Sequence, residues 1–417
     1  MEELLICGGR RLCGVSRIPG AKNAALPLMA ASLMAESPVT LLNCPDLLDT
    51  ARMEGLLSGL GCRLTRAPRA LTVDAASARA ADMPTALAGA MRGSLFLLGP
   101  LLSRFGRAEL TPPGGCPIGK RPVDYHLRAL EELGARVAYR PDGRVEVTAS
   151  RLTGRELRLP YPSVGATENL MMAACRAEGT TVLENAAREP EILDLQALLN
   201  EMGARITGGG TTRLVIEGVK QLSGCEHRII PDRIIAGSLL AAAAATRGEI
   251  TLRGVEANHL AEPLRYLRQA GCYVERSGDA LWLRCDVLRG LGTITTGPYP
   301  AFPTDLQAPF CALAATARGE TQIVETVFED RFHHLPELVK MGAQIARVEN
   351  RVFLTGGELH GAAVEARDLR GGMALVLAAL AARGESRIVG LAHIDRGYES
   401  VDNVFSALGA CISRKEN

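Results

Sequence analysis

Cys116 is the side chain in this 417-residue chain whose surroundings point most directly to chemistry. It sits in the middle of Pro112–Asp124, a window with three glycines and four prolines that reads as a loop able to move between stiff ends. Lys120 and Arg121 follow closely, and neighbouring cations lower a thiol's pKa, which suits a nucleophile or a proton donor. A loop cysteine with no task is the plainer reading, but an exposed free thiol is a liability. A second group is Lys22-Asn23, placed where an apolar helix should begin. Free N–H groups and the positive dipole end welcome an anion there; an N-capping Asn23 beside a solvated lysine is the alternative. Charged residues recur at other helix starts: Arg92, Asp232-Arg233, Asp305 and Asp368-Leu369-Arg370, with Ser163-Val164-Gly165 in the corresponding place once. An aspartate there commonly caps its helix. Recurrence at one structural position favours a shared site, expected in a cleft between two domains. Arg396, in His393–Tyr398, adds a further cation.

The elements that must position these residues follow from an internal repeat. A Leu/Met-Gly-Ala signature or close variant recurs at Gly61, Gly134, Gly203, Gly271, Gly342 and Gly409, roughly seventy residues apart. Each unit reads as an Ala/Leu-rich helix, a β-branched strand, an amphipathic helix ending at the signature glycine, and a closing strand. The first helix is apolar all round and must be buried on every side, whereas the second faces solvent along one flank. Helices packed inside a shell of sheets, three units to each of two domains, is the expected architecture.

Composition excludes several classes. A net charge of +1 argues against a surface built for nucleic acid, and with 4% aromatic residues and Trp282 as the one tryptophan there is little to stack bases on. Eleven cysteines without C-x-x-C spacing read as a reduced, cytoplasmic chain without a metal site. The acidic start, MEELLICGG, does not resemble a signal peptide, and the longest apolar stretch, Ile234 to Thr246, is too short to span a membrane.

Six segments in order resemble the UDP-N-acetylglucosamine 1-carboxyvinyltransferases, a branch of the enolpyruvyl transferase family: Gly20–Asn23, Pro113–Asp124, Ser163–Thr167, Glu184–Glu191, Pro300–Asp305 and His393–Glu399. The resemblance covers essentially the whole chain. It implies a two-domain inside-out α/β barrel of six βαβαββ units with buried helices. One domain would take residues 22–229, with the Cys116 loop, and the other residues 1–21 plus 230–417. It also implies addition of the sugar 3-hydroxyl to phosphoenolpyruvate, a tetrahedral ketal, and loss of phosphate, an early step of peptidoglycan synthesis. In that scheme Cys116 protonates the methylene carbon and is the thiol that fosfomycin would alkylate, and Asp305 takes the hydroxyl proton. Lys22, Arg121 and Arg396 bind phosphoenolpyruvate, with Arg92 and Arg370 nearby and Asp368 counted among the catalytic groups. Asn23, Arg121, Pro122, Val123, Asp124, Tyr125, Ser163, Val164, Gly165, Asp232, Arg233, Asp305, Val327 and Arg331 make up the remaining substrate contacts. No cofactor, metal, nucleic acid, membrane or obligate protein partner is implied.

Pro117 and Lys120 stand where small residues are commoner in the family's loops. Tyr161 replaces a nucleotide-facing lysine of some members, and Ile235 a polar residue. The rival readings are the sister transferase acting on shikimate 3-phosphate, which lacks the Pro-Gly-Gly-Cys segment, the RNA 3′-terminal phosphate cyclases, and a paralogue that binds nucleotide sugar without turnover.

Overall fold

The computed structural model describes residues 2–79, 92–110 and 123–416. They divide into two compact units, one of residues 2–19 with 231–416 and one of residues 20–79, 92–110 and 123–230.

In the first unit the helices Arg233–Ala245, Gln307–Ala315 and Leu369–Ala381 pack against one another. Every residue of the first two is buried, and so is almost all of the third. Alanine makes this possible. A helix apolar on all sides cannot face water, and small side chains let neighbouring axes approach. Three four-stranded sheets belong to this unit. Their strand orders are Ala363–Glu365, Glu385–Val389, Glu2–Cys7, Cys411–Glu416; then Gly292–Thr295, Glu320–Val324, Arg351–Thr355, Gln344–Val348; and Tyr273–Ser277, Ala280–Arg284, Glu249–Arg253, Cys13–Arg17. Strand residues alternate between buried and exposed, as in Glu249–Arg253, so each sheet lays one face on the core.

The second unit has two sheets of the same plan and one of three strands, Arg107–Leu110, Val145–Thr148, Arg136–Tyr139. Every four-stranded sheet has one parallel pair at an edge, and its other neighbours run antiparallel. No sheet closes into a barrel among the described residues. The helices Lys22–Ser32 and Val164–Ala174 lie in this unit's core, the latter against Leu98–Phe105.

All six signature glycines take positive φ, from 86° at Gly409 to 104° at Gly203. The left-handed residue releases the chain from the helix at the cost of no Cβ clash. At the end of the Ala/Leu-rich helix Arg233–Ala245 the left-handed residue is not a glycine. Arg247 itself takes φ 57°, while a Cβ on Gly248 would meet the Leu12 carbonyl oxygen at 2.2 Å.

In the second unit buried His227 sits between buried Asp194 and exposed Glu201. His227 places Nε2 3.0 Å from Asp194 Oδ1 and Nδ1 2.9 Å from Glu201 Oε2, and Asp194 Oδ2 accepts the Ile230 N–H at 3.3 Å. Burial works against the imidazolium, but Asp194 and Glu201 outweigh it and the His227 pKa is raised. A raised histidine stabilises the fold fully below its unfolded pKa of about 6.5 and loses that contribution as pH climbs through the folded value. His227→Gln is therefore expected to cost about 1.5–3 kcal/mol in acid and progressively less in alkali. Urea midpoints of both proteins from pH 6 to 9 measure this, and a gap that stays constant with pH contradicts it.

Candidate active site

In the first unit two buried guanidiniums converge on Asp305. It lies in a short 3-10 turn, Thr304–Leu306, that leads into the buried helix Gln307–Ala315, and it caps no helix. Arg331 Nη2 donates to Asp305 Oδ1 and Arg370 Nη2 to Oδ2, each at 2.7 Å. Burial alone would raise the Asp305 pKa. The two guanidiniums more than reverse this and hold it well below the usual carboxylate range. The arginines are 6% and 2% exposed, so the pairing is screened little. Arg331 also donates to Thr304 Oγ1 at 2.9 Å, and Arg370 stacks over Tyr398, its centre 5.4 Å from the ring, with the Tyr398 hydroxyl 2.9 Å from Ser238 Oγ.

Asp232 and Asp368 do cap. Asp232 Oδ1 accepts from the N–H groups of Ile234 and Ile235, and Asp368 Oδ1 from those of Arg370 and Gly371. The Asp368 cap fixes the first turn of the helix that carries Arg370, so it contributes to the placement of that cation. Arg233, 8% exposed, lies over the Tyr299 ring. Val327 occupies a turn whose N–H donates to Glu325 Oε1 at 2.8 Å. Arg396 is half-buried just beyond the short helix Leu391–Ile394.

In the second unit Lys22 opens the helix Lys22–Ser32 and is 8% exposed. Its Nζ is 3.2 Å from Asp49 Oδ2, and Arg52 approaches the other oxygen at 3.5 Å. Asn23 is the second residue of this helix, after an N-cap at Ala21, so the capping alternative for Asn23 does not hold. Ser163 caps Val164–Ala174 through Ala166 N–H at 3.4 Å. At Gly165 the backbone approaches an imidazole, and a Cβ would lie 3.1 Å from His126 Cε1. His126 is set by Asn169, whose Oδ1 accepts from Gly99 N–H. Val123 is the N-cap of Asp124–Glu132, which brings half-buried Asp124 and Tyr125 into its first turn.

Cys116, Arg121, Pro122 and the Arg92 side chain lie outside the described residues; the Arg92 backbone begins the 3-10 turn Arg92–Leu97. A cavity of about 720 Å³, lined by Arg104, Arg151, Arg176 and Lys220 among others, includes none of the residues named above. Among the described residues no cluster of histidine, cysteine or acidic side chains is placed to hold a metal, and no helix is long and apolar enough to cross a membrane.

Sequence reasoning missed the residues that hold these groups. Glu325, 2% exposed, accepts from Thr296, Thr304, Val327 and Phe328, and so joins the Asp305 turn to the Val327 turn. His334 is buried near Asp368 and Arg331. Burial pushes its pKa down to about 4 against the pull of Asp368, leaving it neutral. Asp49, the partner of Lys22, was also missed. The one sequence signal is an acid directly after a β-branched strand, Glu325 following Glu320–Val324.

Residues 6–405 match the family model of EPSP synthase (3-phosphoshikimate 1-carboxyvinyltransferase). The chain belongs to the EPSP synthase family. Within it, this carboxyvinyltransferase family member is 45% identical to UDP-N-acetylglucosamine 1-carboxyvinyltransferase 2 of Caldanaerobacter subterraneus subsp. tengcongensis, over 99% of this chain and 100% of that one. It is 46% identical to the UDP-N-acetylglucosamine 1-carboxyvinyltransferase of Halorhodospira halophila, over 99% of both. Among solved structures, the enolpyruvyl transferase NikO from Streptomyces tendae matches with TM-score 0.91 and 29% identity, over 99% of both chains. An EPSP synthase from Acinetobacter baumannii matches with TM-score 0.77 and 18% identity over the full length of both, which shows the shared fold.

Proposed function

We infer that this chain transfers the 1-carboxyvinyl group of phosphoenolpyruvate to the 3-hydroxyl of UDP-N-acetylglucosamine and releases phosphate. The observation that carries this is identity of 44–47% to proteins of that activity along nearly the whole chain. The reaction begins peptidoglycan precursor synthesis, and we read the enzyme as cytoplasmic. The finer architecture we propose is six βαβαββ units forming two inside-out barrels, residues 22–229 and residues 1–21 with 230–417. The shared sheet plan and the left-handed signature glycines support it.

For the chemistry, Cys116 protonates the methylene carbon of phosphoenolpyruvate, and the sugar hydroxyl attacks the neighbouring carbon. Asp305 takes the hydroxyl proton. Lys22, Arg121 and Arg396 hold the phosphate and carboxylate, and loss of a methyl proton with phosphate departure restores the double bond. A carboxylate gripped by two guanidiniums is a weak proton acceptor. Asp305 becomes an adequate one when an anionic substrate group draws Arg370 or Arg331 toward itself, so binding of the anion prepares the base. Asn23, Arg121–Tyr125, Ser163–Gly165, Asp305 and Val327 make up the nucleotide-sugar contacts in this reading, with Asp232, Arg233 and Arg331 as further substrate contacts.

The test is phosphate release from phosphoenolpyruvate with either acceptor. Release with UDP-N-acetylglucosamine, absent with shikimate 3-phosphate and lost in Cys116→Ala, is expected. Release with shikimate 3-phosphate instead moves the protein to the sister activity, and no release with either favours a binding paralogue. Fosfomycin should add one equivalent to the wild type, on the peptide that contains Cys116.

A further inference from the structure

Two cysteines far apart in sequence stand opposite each other in one sheet. The strands Glu2–Cys7 and Cys411–Glu416 pair antiparallel, with Cys7 in direct register with Cys411. Directly opposed residues in such a pair have Cα atoms about 4.5–5.5 Å apart, inside the span of about 4.4–6.8 Å that a disulfide bridges. On the other neighbouring strand, Glu385 stands opposite Cys7, and Cys7 Sγ donates to Glu385 Oε2 at 4.0 Å. Cys7 is exposed and Cys411 partly so, and both are free thiols.

We propose that Cys7 and Cys411 are a redox-modified pair that closes to a disulfide under peroxide and so locks the Cys411–Glu416 strand to Glu2–Cys7. One thiol is oxidised by hydrogen peroxide to a sulfenic acid with release of water. The other sulfur attacks it, and the hydroxyl leaves with the second thiol's proton as another water. Two thiols thus give two electrons and two hydrogens to one peroxide, and a dithiol reverses the bond. Contact with Cys411 raises the Cys7 pKa, burial and Glu385 add to this and Arg10 opposes it, so little thiolate is present and the pair stays reduced until peroxide is in excess.

The strand that would be locked matters to its neighbours. Arg414, on Cys411–Glu416, donates to both Asp395 oxygens at 2.7 and 3.0 Å and to Glu2 at 3.1 Å. A second pair, Cys272 and Cys285, stands one residue beyond the register pair Tyr273↔Arg284 of the hairpin Tyr273–Ser277/Ala280–Arg284 but is buried, which makes it an internal comparison for access.

The experiment treats the whole protein with hydrogen peroxide, blocks remaining thiols, and digests it with trypsin without reduction. Cys7 lies in peptide 1–10 and Cys411 in peptide 397–414, each the one cysteine of its peptide. Those two peptides are expected joined, lighter than their sum by two hydrogens, and separable by dithiothreitol. The linked protein should melt several degrees higher, a rise absent in Cys7→Ser and Cys411→Ser. Peptides that carry separate sulfinic acids, or a link confined to Cys272 and Cys285, overturn the proposal. So does a linked protein whose melting midpoint matches that of the reduced form.

Discussion

Asp305→Ala is expected to lower the turnover of phosphate release by about 10²–10⁴-fold, the usual contribution of a positioned acid or base. The same change removes the counter-ion of Arg331 and Arg370, which are bonded to its two oxygens and nearly inaccessible to water. Breaking a buried pair from one side costs about 3–5 kcal/mol, because a charge is left uncompensated. The variant should therefore be both slow and fragile, and the two effects need separating. Asp305→Ala combined with Arg331→Met removes one of the stranded cations and should recover part of the urea midpoint. Turnover should not recover. Near-normal turnover in a folded Asp305→Ala protein would sink the proton-acceptor role, whereas a double variant no more stable than the single one would contradict the electrostatic account.

Glu168→Gln should make the protein more stable at neutral pH. Glu168 is fully buried in Val164–Ala174, and neither carboxyl oxygen has a hydrogen-bond partner among the described residues. Burial first, then the like charges of Glu191 and Glu189, raises its pKa well above the ordinary value. An acid of this kind keeps in the fold a proton that the unfolded chain releases above pH ~4.5. Stability then falls as pH rises from there to the raised folded value, by about 1.4 kcal/mol per pH unit within that window. Glutamine has the same shape and no proton to lose. Urea midpoints of the two proteins should coincide near pH 4 and diverge by on the order of 2 kcal/mol at neutral pH. A variant less stable than wild type at pH 7.5 would mean that Glu168 is ionised and paired in the fold.

Much of this was readable in the sequence, for physical reasons that differ by residue. The stretch Arg233–Ala245 is apolar on every face, which only a buried helix satisfies, and the structure buries all of it. The aspartates at 232 and 368 follow local rules, since a cap needs only N–H groups two and three residues ahead. Asp305 looked the same on paper. Its two arginines come from a turn and a helix start well downstream, and no local pattern encodes that pairing. The His227 clamp and the burial of Glu168 were hidden for the same reason: both depend on what another element brings alongside. The opposition of Cys7 and Cys411 needed the strand register itself, since their spacing in the chain carries no signal.

The strand Glu2–Cys7 has a consequence for how the protein is made. It lies between Glu385–Val389 and Cys411–Glu416, so both of its neighbours belong to the far end of the sequence. Residues 20–230 can complete their own unit while synthesis continues, but this strand cannot pair until several hundred further residues have been added. At about 5–20 residues per second that delay is on the order of 20–80 s. Throughout it, Leu4 and Ile6, both wholly buried at the end, have no sheet to join. The ribosome thus delivers one finished unit and one unclosed one, and the wait of this first strand is where a holding chaperone would find its substrate.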